Sequence, residues 1–177
     1  MRKPRPKRLT ALLSAIVLGG ATTVVLGGSV ASAVPARHGK KRCSVTSGLT
    51  DRSQLTKHDG RAPGTTDGDS VVYHDDVYNK AGDVVFTGEG TVLVYTNPRS
   101  GALWEFLAIT IQMPSGGTYF GTTTFAIEDA VAGNPQTIPV VGTAGDTVGK
   151  VGAVKWSLVG YEGPNLSIFD VTATFCG

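Results

Sequence analysis

Val71, Tyr73, Asp75 and Val77 stand at alternate positions, so an extended backbone would set one carboxylate in an otherwise apolar row. Burial there raises a carboxyl pKa, or a nearby donor holds the group ionised, and both states serve acid–base chemistry. At a polar rim the same residue would be an ordinary solvated aspartate. Glu105 is the second candidate, being the one charge on the face that carries Leu103, Leu107, Ile109 and Ile111. Asp170, between Ile168 and Thr172 and on the face of Leu166, is a third. His74 and Asp76 share the opposite face with Tyr78 and read as solvated. Other chemistries lack their residues. Three His and two Cys show no metal-ligand spacing, so no metal site is expected. No Gly-x-Ser-x-Gly elbow occurs, and no Gly-rich loop precedes a helix. Gly88-Glu89-Gly90 lies inside a strand pattern and reads as a bulge or a barrel corner.

The elements that must position these acids are strands. β-branched and aromatic runs alternate with turn clusters, and no stretch keeps a helical period for three turns. Strands are expected over 71–78, 84–96, 102–113, 118–128, 137–141, 151–161 and 166–175, with a further short one near 45–49. The connections are short and carry turn chemistry, as in Asn97-Pro98-Arg99-Ser100-Gly101 and Glu162-Gly163-Pro164-Asn165, so neighbouring strands pair antiparallel. The run 102–113 is apolar on both faces, with Leu103, Leu107, Ile109, Ile111 and Met113 opposite Trp104, Phe106 and Ala108. A sheet wetted on one side should alternate cleanly. This one therefore lines an apolar cavity, meets another subunit, or does both, which favours a closed all-β barrel. Eight strands make a barrel just wide enough for one small ligand. Tyr73, Trp104 and Phe106 are the candidate ligand contacts. An immunoglobulin-type sandwich would place its two Cys on interior strands around a Trp, whereas Cys43 and Cys176 lie near the chain's two ends.

The 177 residues suffice for one domain, and 24 Gly with 17% charged residues exclude a coiled coil. Arg2, Lys3, Arg5, Lys7 and Arg8 precede an uncharged run over 9–30 that closes on Ala31-Ser32-Ala33. This is the layout of a secretory signal peptide over residues 1–33. The run is also long enough for a membrane anchor, although Gly19, Gly20, Gly27 and Gly28 dilute it. Without those five bases the net charge falls from +2 to −3, and from Cys43 onward seven bases face 14 acids. A nucleic-acid partner would need a basic footprint that this region lacks. Two Cys in an exported chain are most simply one disulfide, with reactive thiols as the alternative. All 13 aromatic residues follow position 72, so residues 34–69 read as a polar N-terminal extension and 70–177 as the barrel domain.

Two motifs carry a family resemblance. Val72-Tyr73-His74-Asp75 resembles the Phe-Tyr-x-His-Asp strand of dirigent proteins. Val140-Val141-Gly142-Thr143-Ala144-Gly145-Asp146, followed by Gly152, is similar to their Val-Val-Gly-Gly-Thr-Gly-Asp segment and later Arg-Gly, with Val151 where the Arg would stand. The strand and turn pattern over 79–90 is similar to that of related bacterial allene-oxide-cyclase-barrel-like proteins. The resemblance implies an eight-stranded antiparallel barrel, a trimer, a hydrophobic cavity, no cofactor, and a disulfide from Cys43 to Cys176. It implies a small hydrophobic molecule as partner, held for cyclisation, isomerisation or stereoselective coupling. Asp75 matches the His-Asp carboxylate and Asp146 the Asp of the second motif; with Glu105 they are the candidate catalytic residues. A non-catalytic ligand-binding barrel or a structural secreted barrel is the alternative, and a filled interior would leave only the structural one.

Overall fold

The computed structural model describes residues 42–60 and 65–177. The signal-peptide reading of 1–33 lies outside them. Eight strands follow one another around a closed barrel in chain order, each antiparallel to its neighbours. They are β1 (Cys43–Asp59), β2 (Ser70–Tyr78), β3 (Val84–Thr96), β4 (Leu103–Gln112), β5 (Thr118–Ala126), β6 (Gln136–Ala144), β7 (Val151–Tyr161) and β8 (Leu166–Cys176). A short helix, α1 (Ile127–Val131), joins β5 to β6, and a single 3-10 turn (Gly145–Thr147) joins β6 to β7.

Seven strands lie where the β-branched runs predict them. The eighth corrects the expected boundary, because 43–59 is no extension: β1 is the longest strand and pairs with both β2 and β8 to close the barrel. Its register with β8 shifts between Thr46 and Leu49, and Gly48 there takes a φ of 66°, which a side chain rarely adopts. The strand expected to run to Glu128 stops at Ala126, and Glu128 and Asp129 occupy the first turn of α1, where the helix dipole favours acids.

Period-two alternation sorts the side chains. On β3, Phe86, Gly88, Gly90, Val92 and Val94 face inward and buried, while Val84, Leu93 and Glu89 are exposed. One end of the barrel is closed by aromatic packing, with Phe175 stacked on Tyr119 at 4.4 Å and edge-on to Phe86 at 6.4 Å. Cys43 and Cys176 pair across β1 and β8 at this end and form the disulfide. Among the described residues no helix is long and apolar enough to cross a membrane.

Candidate active site

A cavity of about 190 Å³ occupies the barrel interior. A single water needs roughly 10–15 Å³ on such a measure, so this is room for an organic molecule. Every strand contributes to its wall, which is apolar except for Asp51, Ser53, Tyr73, Asp75, Glu105 and Ser167. Lining residues toward the disulfide end, Val77, Phe86 and Ile111, are buried, whereas Leu55, Val71, Trp156, Ser167 and Phe169 at the other end are half-buried. The mouth therefore lies at the end where α1 sits. Trp156 stands there edge-on to Phe125 at 5.2 Å and to Phe169 at 5.0 Å, an aromatic rim to the opening.

The structure puts Asp75 inside, 6% exposed, in the row with Val71, Tyr73 and Val77. Burial raises its pKa to about 7, and the charges of Glu89 and Asp76 push the same way. A hydrogen bond from Ser53, its neighbour on β1, and the charge of His74 work against that rise. Glu105 also faces the cavity, close to the mouth, and burial raises its pKa to about 7. Asp51, which the sequence reading did not single out, is the third acid. It is 7% exposed, and burial, then the charges of Asp75 and Asp76, lift its pKa well above the ordinary carboxyl value. Tyr73 is held well above the ordinary tyrosine value by burial first and then by Asp75, Asp51 and Glu105, so its hydroxyl keeps its proton. One oxygen each of Asp51 and Asp75 and the Tyr73 hydroxyl are buried without a hydrogen-bond partner. Among the described residues no Lys, Arg or His lines the cavity.

Gly88 and Gly90 are neither a bulge nor a corner. Both face inward in unbroken register with β2 and β4, under the groups that matter. A Cβ on Gly90 would overlap the Tyr73 ring, and one on Gly88 would lie 2.9 Å from Asp75 Oδ2. The two glycines are the hollows into which Tyr73 and Asp75 fold.

Other expected site residues lie elsewhere. Asp146 is exposed in the turn between β6 and β7, at the disulfide end, where Ser115 Oγ donates to it at 3.3 Å. Its segment is a structural clasp, since Thr147 Oγ1 accepts from the Thr118 amide at 3.1 Å and Gly142 leaves space for the Thr147 carbonyl. Trp104 and Phe106 alternate with Glu105 and so point outward. Neither lines the cavity, and Phe106 is 41% exposed. Asp170 is exposed on the outer face of β8, where alternation opposes it to Phe169 and Val171. His74 is outward as expected, its Nδ1 2.6 Å from Glu89 and its Nε2 3.3 Å from Asp76; the Glu89 hydrogen bond chiefly raises its pKa. Among the described residues no group of His, Cys, Asp and Glu is arranged to hold a metal ion.

Residues 50–167 match the profile of the allene oxide cyclase barrel like domain. No curated protein matches the chain significantly in sequence. Solved structures share the fold. One is a nonspecific heme-binding cyclase that catalyses a 4 + 2 cycloaddition during neoabyssomicin biosynthesis, with a TM-score of 0.67 and 20% identity over 75% of this chain. The match spans 64% of that protein's length. The Diels-Alderase AbmU from Streptomyces koyangensis gives 0.67 at 19% identity, covering 78% of this chain and 70% of its own. The pterocarpan synthase dirigent protein GePTS1 gives 0.57 at 9% identity, over 77% of this chain and 85% of its own.

Proposed function

This chain belongs to the allene oxide cyclase barrel-like family, and from that premise we propose that its barrel takes up a small, largely apolar molecule and guides it to one cyclised or coupled product. The carrying observation is the cavity itself: an apolar wall interrupted by a compact group of acids and one tyrosine. A structural barrel needs a filled interior and has no use for buried acids that lack partners. Fold neighbours that are cyclases, Diels-Alderases and dirigent proteins support the same reading.

The chemistry asked of such a site is modest. Walls that hold an unsaturated chain in one folded conformer supply most of the acceleration by proximity, and they select the face on which the ring closes. Glu105, near the mouth and titrating about neutrality, donates a hydrogen bond in its protonated form to an oxygen on which charge builds. Asp51, Tyr73 and Asp75 hold the polar end of the molecule deeper in. The N-terminal segment 1–33 and the disulfide support an exported protein. The outward apolar side chains Leu93, Phe106 and Phe120 support the trimer that the family resemblance implies.

The test is a linear trienone, in which a diene is tethered to an enone, incubated with the protein and resolved by chiral chromatography. The expected product is enriched in one enantiomer. Val71→Trp, which fills the half-open mouth, is expected to return racemic product at the uncatalysed rate. Racemic product from wild-type protein that binds the probe would overturn the guiding role.

A further inference from the structure

We propose that the deep end of the cavity is built for a cationic amine, so that its occupant is a mainly apolar molecule with a basic nitrogen seated between Asp51 and Asp75. The proposal rests on the reading of the cavity as a ligand site and names the chemical class that site prefers.

Buried carboxyl groups in proteins ordinarily have a cation or a full set of donors beside them. Among the described residues that line the cavity there is no cation, and the hydrogen bond from Ser53 leaves Asp75 one donor short of a full set. Asp51 and Asp75 are more than nine-tenths buried, both line the cavity, and each has an oxygen with no partner. The Tyr73 hydroxyl, one inward position nearer the mouth than Asp75 on β2, is also unpartnered. The three atoms can all accept hydrogen bonds, and an ammonium group offers three donors and no acceptor. The occupant supplies the cation that the wall omits. A carboxylate ligand would add another acid to a space that already holds Asp51, Asp75 and Glu105. A neutral carbonyl offers only acceptors, and so leaves Asp51 and Asp75 unsatisfied once they ionise.

The surroundings agree. Behind the wall, His74 is committed on the outer face to Glu89 and Asp76. Among the described residues, the mouth-end strand ends and loops carry Asp59, Asp67, Glu128, Asp129 and Glu162 against Lys57, Arg52 and Arg99, and Arg52 is paired with Glu162 at 2.6 Å. This excess of negative charge attracts cations to the opening and turns anions away.

Three probes with one apolar body separate the cases: 4-phenylbutylamine, 4-phenylbutanol and 4-phenylbutanoate, titrated by calorimetry at pH 8. The amine is expected to bind about tenfold tighter than the alcohol, with the carboxylate weakest. In the double variant Asp51→Asn, Asp75→Asn the amine is expected to fall to within about twofold of the alcohol measured in the same variant, while a cooperative thermal unfolding transition reports that the barrel is intact. Lowering the pH to 5 should shrink the amine's advantage, because Asp75 and Glu105, whose pKa values burial raises to about 7, protonate while Tyr73 stays neutral throughout. An amine that binds no tighter than the alcohol, or a preference that survives both substitutions, would overturn the proposal and leave the ligand site standing. Binding of none of the three would remove both.

Discussion

Asp75→Asn is expected to stabilise the ligand-free protein at alkaline pH, gaining about 4 kcal/mol over wild type between pH 4 and pH 8. The sign follows from the direction of the shift. Burial raises the folded-state pKa of Asp75 from 3.8 to about 7, so over that window the native state holds a proton the unfolded chain has lost. Wild-type stability therefore declines as pH rises from 4 through 7, and the decline is complete above the folded-state pKa. Asparagine keeps the shape and cannot ionise, so it escapes this loss. Denaturant unfolding of both proteins at pH 4, 6 and 8 measures it, and parallel pH profiles would show that the carboxyl is not desolvated as its position implies. A protein that keeps such a group at a cost to its own stability has placed it for something other than folding.

The second large effect concerns barrel closure. Cys43 and Cys176 are 133 residues apart in sequence and join the first strand to the last. Chain entropy assigns a bridge of that span roughly 5 kcal/mol, a figure that strain and residual structure in the unfolded chain reduce. Replacing both with Ser is expected to lower the melting temperature by on the order of 15 °C. The β1–β8 ladder and the backbone hydrogen bonds between Arg42 and Gly177 would remain to hold the seam. A fall of only about 2 °C would mean that the ladder alone closes the barrel.

Where the sequence was legible, it was because strand periodicity and burial agreed. The rows containing Asp75 and Glu105 are apolar at every other position, so a period of two fixes both the strand and its inner face. The same period places Trp104 and Phe106 opposite Glu105; all three could not line one cavity, and the structure resolves the choice in favour of the acid.

Most of strand β1, beyond the short stretch expected near 45–49, was hidden for the opposite reason. Its inward residues, Leu49, Asp51, Ser53 and Leu55, are half polar because this strand supplies the polar side of the cavity, and its outward residues are polar as well. A reading keyed to apolar rows passes over it, and Asp51 with it. The clue was covalent: a Cys43 that must reach Cys176 at the end of a strand brings the following residues alongside that strand. Asp146 lies away from the cavity for another reason. Its motif resembled a functional segment, but here it packs a turn, with Gly142 and Thr147 making the fit. The glycines at 88 and 90 show a third limit, since space left for Tyr73 and Asp75 is visible only once β2 and β3 are paired.

The claim on which the rest depends is that the barrel interior accepts a ligand through the mouth beside Trp156. Fluorescence titration with the neutral dye N-phenyl-1-naphthylamine tests it most directly. Wild-type protein is predicted to give one saturable site per chain, with blue-shifted dye emission and quenching of tryptophan, and Val71→Trp is predicted to abolish that site while leaving the melting temperature unchanged. Binding that is absent from wild type, or equal in wild type and Val71→Trp, would contradict it.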